Sequence, residues 1–97
     1  MKLTVHPLAE EDVAEAAAFY ERRGSPALAA RFVSEFRRVG ALLLEHPEIG
    51  SSRSLGRRGF GMRVFPYTVI YRISNDALQI LVVKHDKRRP GYGGSRR

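Results

Sequence analysis

Two β-rich segments joined by a short polar turn constrain this chain more than anything else in it: Tyr67-Thr68-Val69-Ile70-Tyr71-Arg72-Ile73-Ser74 and Leu78-Gln79-Ile80-Leu81-Val82-Val83-Lys84. β-branched and aromatic residues suit a pleated, half-buried surface, and Ser74-Asn75-Asp76-Ala77 supplies side chains that tolerate a tight turn. The pair reads as a β-hairpin, with Met62 to Phe65 as a further strand ahead of it. Ile80-Leu81-Val82-Val83 is apolar at both parities, as expected of a central strand covered on both faces. The hairpin exits into Lys84-His85-Asp86-Lys87-Arg88-Arg89-Pro90-Gly91-Tyr92. Such a cationic cluster on the rim of a small sheet suits a polyanion or an acidic protein better than a neutral metabolite.

The segments before it fall into a regular order. Lys2 to His6 has the alternation of a short strand, which Pro7 stops. A helix should start there: Glu10, Glu11 and Asp12 put negative charge in its first turn, while Val13, Ala16, Ala17 and Tyr20 share one face. Arg22, Arg23 and Gly24 close it. Ser25-Pro26 then gives a cap residue followed by proline at the first helical position, and a longer helix follows with Ala29, Phe32, Val33, Phe36, Val39 and Leu43 as its apolar stripe. His46-Pro47 ends it. With so short a link, the two helices should form an antiparallel hairpin. Glu48 to Gly61 is rich in Gly, Ser and Arg and reads as a connecting loop. The expected order is β-α-α-β-β-β, an α+β chain. The tail Gly91 to Arg97 is expected to be mobile when the protein is alone.

Size and charge narrow the function. The chain of 97 residues is of single-domain length, expected to span 1–97 with a basic tail at 91–97, and it can bury one core without enclosing a large cofactor as well. Its 17 Lys and Arg against 10 Asp and Glu give a net charge of +7, which favours a nucleic acid, a ribosome-like surface or an acidic protein as partner. There is no cysteine, hence no disulfide framework, thiolate nucleophile or cysteine metal site. His6 and His46 stand too far apart to suggest metal binding, and no cofactor is implied. The amino terminus lacks the apolar core of a signal peptide, and no apolar run approaches the roughly 20 residues that span a bilayer. A soluble, cytoplasmic protein with no membrane partner is expected.

The element order, the Phe65-Pro66-Tyr67 step into Ile70-Tyr71-Arg72-Ile73, the Pro47-Glu48-Ile49-Gly50 segment after the second helix, and His85 followed by Arg88, Arg89, Pro90 and Tyr92 resemble the ParE/RelE superfamily of bacterial toxins. The resemblance covers nearly the whole chain and is closer to ParE in its Phe65-Pro66-Tyr67 and Ile70-Tyr71-Arg72 wording. It departs from the family at Gly93, where many relatives carry an aromatic residue. It implies a toxin of a type II toxin–antitoxin pair, with the helical hairpin packed on one face of a small antiparallel sheet. It also implies a hetero-oligomer with a cognate acidic antitoxin that wraps the toxin with a helix and an extended segment. A ParE-like toxin inhibits DNA gyrase without an established hydrolytic site; a RelE-like one cuts messenger RNA on the ribosome.

The residues leave both readings open, along with a nucleic-acid-binding module without toxicity. A gyrase-binding surface would draw on Arg63, Arg72, Lys84, Lys87, Arg88, Arg89 and Tyr92. Metal-independent RNA cleavage through the 2′-hydroxyl needs a base, an acid and cations for the phosphate oxygens. His85 or Tyr92 could move the proton, with Arg72, Arg88 and Arg89 on the phosphate. Against a nuclease, lysines are few, and Asp86 beside His85 should point to the opposite side of the strand. Each residue also has a plainer role: His85 as a hydrogen-bonded strand end, Arg63 and Arg72 solvated or paired with Glu45 or Glu48, Tyr67 and Tyr71 as core.

Overall fold

The computed structural model describes all 97 residues. The elements run β1 (Lys2–Val5), α1 (Pro7–Arg23), α2 (Pro26–Glu45), β2 (Ser51–Ser52), β3 (Arg58–Gly61), β4 (Tyr67–Ser74) and β5 (Ala77–His85). No helix is long and apolar enough to cross a membrane. Both helix starts are built as their sequences dictate. The His6 Nδ1 accepts from Leu8 N at 3.0 Å, which gives that histidine a capping role, and the Ser25 hydroxyl accepts from Leu28 N at 3.1 Å, each cap being followed by proline.

The strands form one sheet in the order β1-β5-β4-β3-β2. It is mixed, which corrects the expected antiparallel sheet: β1 lies parallel to β5, with Leu3 opposite Leu78 and Val5 opposite Ile80. The helical hairpin carries the chain from β1 to β2 on the far edge of the sheet, and β2 to β5 then pair antiparallel in turn, which brings β5 back beside β1 and parallel to it. The β4–β5 hairpin turns on Asn75 and Asp76, whose φ values of 50° and 63° are the left-handed pair that a two-residue turn requires.

The connector and the strand after it are corrected as well. β3 lies inside the expected loop, paired with β4 through Gly59 opposite Ile70 and Phe60 opposite Val69. Its glycines hid it, and one of them has a packing reason: a Cβ on Gly59 would meet the Arg53 guanidinium at 2.6 Å. Met62 to Phe65, by contrast, is a turn in which Val64 takes a φ of 69° and Phe65 N bonds to Arg63 O. That turn drives Phe65 into the core, edge-on to Tyr20 and Phe32 at ring distances of 5.0 and 5.2 Å.

One core fills the space between helices and sheet, where Phe32, Val39 and Leu43 of α2 meet Val69, Tyr71, Leu78 and Ile80. A bulge then changes the parity of β5. Ile70 sits opposite Val82 but Tyr71 opposite Ile80, so Leu81 is the extra residue. As a result Leu81 and Val82 both join Ile70 on the other face, while Val83 returns to the helix side. The tail covers that second face. Tyr92 packs on Ile70, Leu81 and Val82, and the buried Arg57 donates to the carbonyl oxygens of Gly93, Gly94 and Arg96. The expectation of a free tail is therefore overturned. Gly93 takes a φ of 77° and approaches so closely that a Cβ would meet Val82 at 2.5 Å, which accounts for glycine at this position of the chain.

Candidate functional site

β1 ends at Val5, so beyond Ile80 the outer edge of β5 has no strand beside it. Two side chains take the missing strand's place. The Asp12 carboxylate accepts from Val83 N at 3.0 Å, and Arg96 donates to Leu81 O at 3.0 Å. Arg96 and Asp12 form an ion pair with both side chains nearly inaccessible, and the Tyr92 hydroxyl donates to the same carboxylate at 2.7 Å. Hydrogen bonding to Asp12, then burial, raise the Tyr92 pKa. Asp12 is therefore not a first-turn helix charge but a buried anchor, 6% exposed, to which edge and tail are both tied.

Just past this anchor lies a groove of about 260 Å³ between α1 and the end of β5, where Phe19 and Arg22 face Tyr67, His85, Arg88 and Tyr92. Strand pairing places His85 opposite Tyr67, and the two rings meet edge-on at 5.1 Å. The His85 Nδ1 accepts from Lys87 N at 3.1 Å, which leaves Nε2 as the free nitrogen. Burial raises the Tyr67 pKa. The Arg88 guanidinium lies 4.6 Å from the Tyr92 ring centre, close enough for cation–π attraction. Lys84 is only 8% exposed, whereas Lys87 and Arg89 are open to solvent. Asp86 accepts from the Thr68 hydroxyl at 2.7 Å, so it serves the β4 side and not the imidazole, as alternation requires.

The remaining candidates lie elsewhere. Arg72 sits five residues along β4 from Tyr67, about 16 Å at the usual rise per strand residue, and its side chain bonds Gln79 at 3.1 Å. Arg63 lies in the turn before β4, against α2, where its main-chain N donates to Glu35 at 2.6 Å beside Arg31 and Arg38. The Arg38 guanidinium, hydrogen-bonded to Glu35, holds that carboxyl below its ordinary pKa. None of Arg63, Arg72, Lys84, Lys87, Arg88 and Arg89 is in an ion pair; Glu48 pairs with Arg58 at 4.0 Å instead. The expected single cluster is thus one group, Lys84 to Tyr92, with two outliers. Arg57, Asp12 and Arg96 escaped sequence reading because their partners are tail carbonyls and a strand edge, which no local pattern announces.

A family model described as the ParE toxin of the type II toxin–antitoxin system parDE matches residues 3–90. The chain belongs to the ParE toxin family. It is accordingly a type II toxin, with the two helices packed on a five-strand mixed sheet. The chromosomal ParDE toxin–antitoxin system from P. aeruginosa contains a chain of similar fold, with a TM-score of 0.79 and 20% identity over 88% of this chain and 95% of that one. No curated protein matches in sequence. The family match stops at residue 90, so the part of this ParE toxin that carries Tyr92 and Arg96 lies outside it.

Proposed function

We propose that this ParE-family toxin arrests growth by binding DNA gyrase, acts in the cytoplasm, and is neutralised by a cognate acidic antitoxin. The supporting observation is the exit of β5, where Lys87, Arg88 and Arg89 stand exposed and free of carboxylates on a base stiffened by the Asp12–Arg96 anchor. Cations held this way keep their full attraction for an acidic surface, and the +7 net charge strengthens steering toward it. Lys84, Tyr92, Arg63 and Arg72 are assigned secondary contacts. An endoribonuclease finds less support, because Arg72 stands far from His85 and the Tyr92 hydroxyl is engaged by Asp12.

Purified protein added to gyrase supercoiling and ribosome-translation reactions tests this. Supercoiling should fall while message stays intact, and the Arg88→Ser/Arg89→Ser double variant should lose most inhibition while remaining folded by circular dichroism. New message ends that vanish with His85→Ala would overturn the gyrase reading in favour of nuclease action. Co-expression with the product of a neighbouring acidic reading frame should relieve toxicity and yield a stable complex.

A further inference from the structure

On the sheet face turned away from the helices, Arg57, Arg72, Arg96 and Arg97 converge on a hollow of about 320 Å³ walled also by Leu55 and Ser95. Arg57 is only 8% exposed and makes no ion pair. Three of the five N–H groups of a guanidinium go to the tail carbonyls of Gly93, Gly94 and Arg96, leaving two without a partner. A charge so buried is ordinarily paired. Here its neighbours are more cations: burial first, then the positive charges of Arg72 and Arg96, lower its pKa. Asp12 is committed to Arg96, so no carboxylate side chain pairs with Arg57 or with Arg72, whose side chain is bonded only to the neutral Gln79.

We propose that this hollow is a phosphoryl-binding site, in which Arg57 and Arg72 are the principal donors and Arg96 closes the wall through the docked tail. Planar guanidiniums match phosphate oxygens in pairs, and two unneutralised cations side by side call for a dianion more than for a single carboxylate. Because Arg57 also clasps the tail, the bound anion fastens residues 91–97 to the sheet. The site shares only Arg72 with the secondary gyrase contacts, stands apart from the exposed cations at the β5 exit, and does not depend on gyrase being the target.

Calorimetric titration of the full chain at physiological salt, with pyrophosphate, inorganic phosphate, a short DNA duplex and a glutamate-rich peptide, tests it. Pyrophosphate should bind and raise the melting temperature. Arg72→Gln, which leaves the tail's own bonds intact, should weaken binding roughly tenfold or more, against a twofold change at most for Arg37→Gln, an exposed α2 site with the same charge loss. An Arg57 Nε–H nuclear magnetic resonance signal that moves on titration in the folded wild type locates the anion even if a variant unfolds. Duplex binding with the same Arg72 dependence identifies nucleic-acid phosphate as the source; pyrophosphate binding alone identifies a free one. The proposal fails if pyrophosphate does not bind, if both variants weaken it equally, or if the glutamate peptide binds more tightly.

Discussion

Asp12, in the second turn of α1, accepts a hydrogen bond from the main-chain N–H of Val83, 71 residues further along the chain. That contact closes the edge of β5 where β1 has run out, and it fixes the place at which Arg96 and Tyr92 fasten the tail. Helix, sheet edge and tail share one carboxylate.

Replacing Asp12 with alanine therefore leaves Val83 N–H and the Arg96 guanidinium without their acceptor in a buried place. Removing one member of a buried ion pair costs about 3 kcal/mol or more, because the partner charge is left uncompensated. Urea unfolding of Asp12→Ala should show a loss of roughly that size. A double-mutant cycle with Arg96→Ala should give a coupling of about 1 kcal/mol or more. A loss under about 1 kcal/mol in Asp12→Ala would mean that tail and edge hold without this anchor.

Tyr92 makes the same anchor sensitive to base. Its pKa is raised by the hydrogen bond to Asp12 and by burial, so the folded state favours the protonated phenol. A raised folded pKa contributes stability that is complete below the ordinary phenol value near 10 and is lost as pH climbs through the folded value. Tyr20 and Tyr67 are raised too, and remain in a Tyr92→Phe variant. The stability gap between wild type and Tyr92→Phe should thus be constant at neutral pH and shrink above about pH 10. A gap that holds steady through alkaline titration would show the phenol free of Asp12.

Tyr71 carries a different vulnerability. Its ring is fully buried, and its hydroxyl donates to Pro47 O at 2.7 Å while accepting from Gly50 N at 3.0 Å, which ties the segment after α2 to the middle of the sheet. Tyr71→Phe keeps the packing but strands a buried N–H and a carbonyl. The cost should be about 1–3 kcal/mol, read by thermal or urea unfolding, with faster amide exchange at Gly50. Unchanged exchange at Gly50 would contradict the contact.

The helices were legible because both of their ends and their apolar stripes are local: Ser25-Pro26 and Arg22-Arg23-Gly24 act within a turn of the chain. The β4–β5 hairpin was legible for the same reason. β3 was not, since Gly59 and Gly61 answer to Arg53 packing and sheet pairing and so read as loop. The parallel pairing of β1 with β5 joins residues some 75 apart, as with Leu3 and Leu78, and no pattern near Leu3 specifies it. At the site, the run from Lys84 to Tyr92 announced itself by composition. Arg57, Asp12 and Arg96 did not, because one arginine among several in a Gly- and Ser-rich stretch acquires meaning only when the tail folds over it.

Val64 offers the reverse test, a substitution that should strengthen the fold. It is 83% exposed, so its side chain contributes little burial, yet its φ of 69° lies in the left-handed region that a β-branched residue disfavours. Holding it there costs on the order of 1–3 kcal/mol. The neighbouring anchors impose it: Arg63 N is fixed on Glu35, and Phe65 is drawn into the core between Tyr20 and Phe32. Glycine adopts this φ freely, at the expense of a looser unfolded chain worth roughly 0.4–1 kcal/mol. Val64→Gly should therefore gain about 0.5–1 kcal/mol, a rise of several degrees in melting temperature for a domain of this size. A lower melting temperature would show that the exposed isopropyl group stabilises the turn by a contact outweighing its strain.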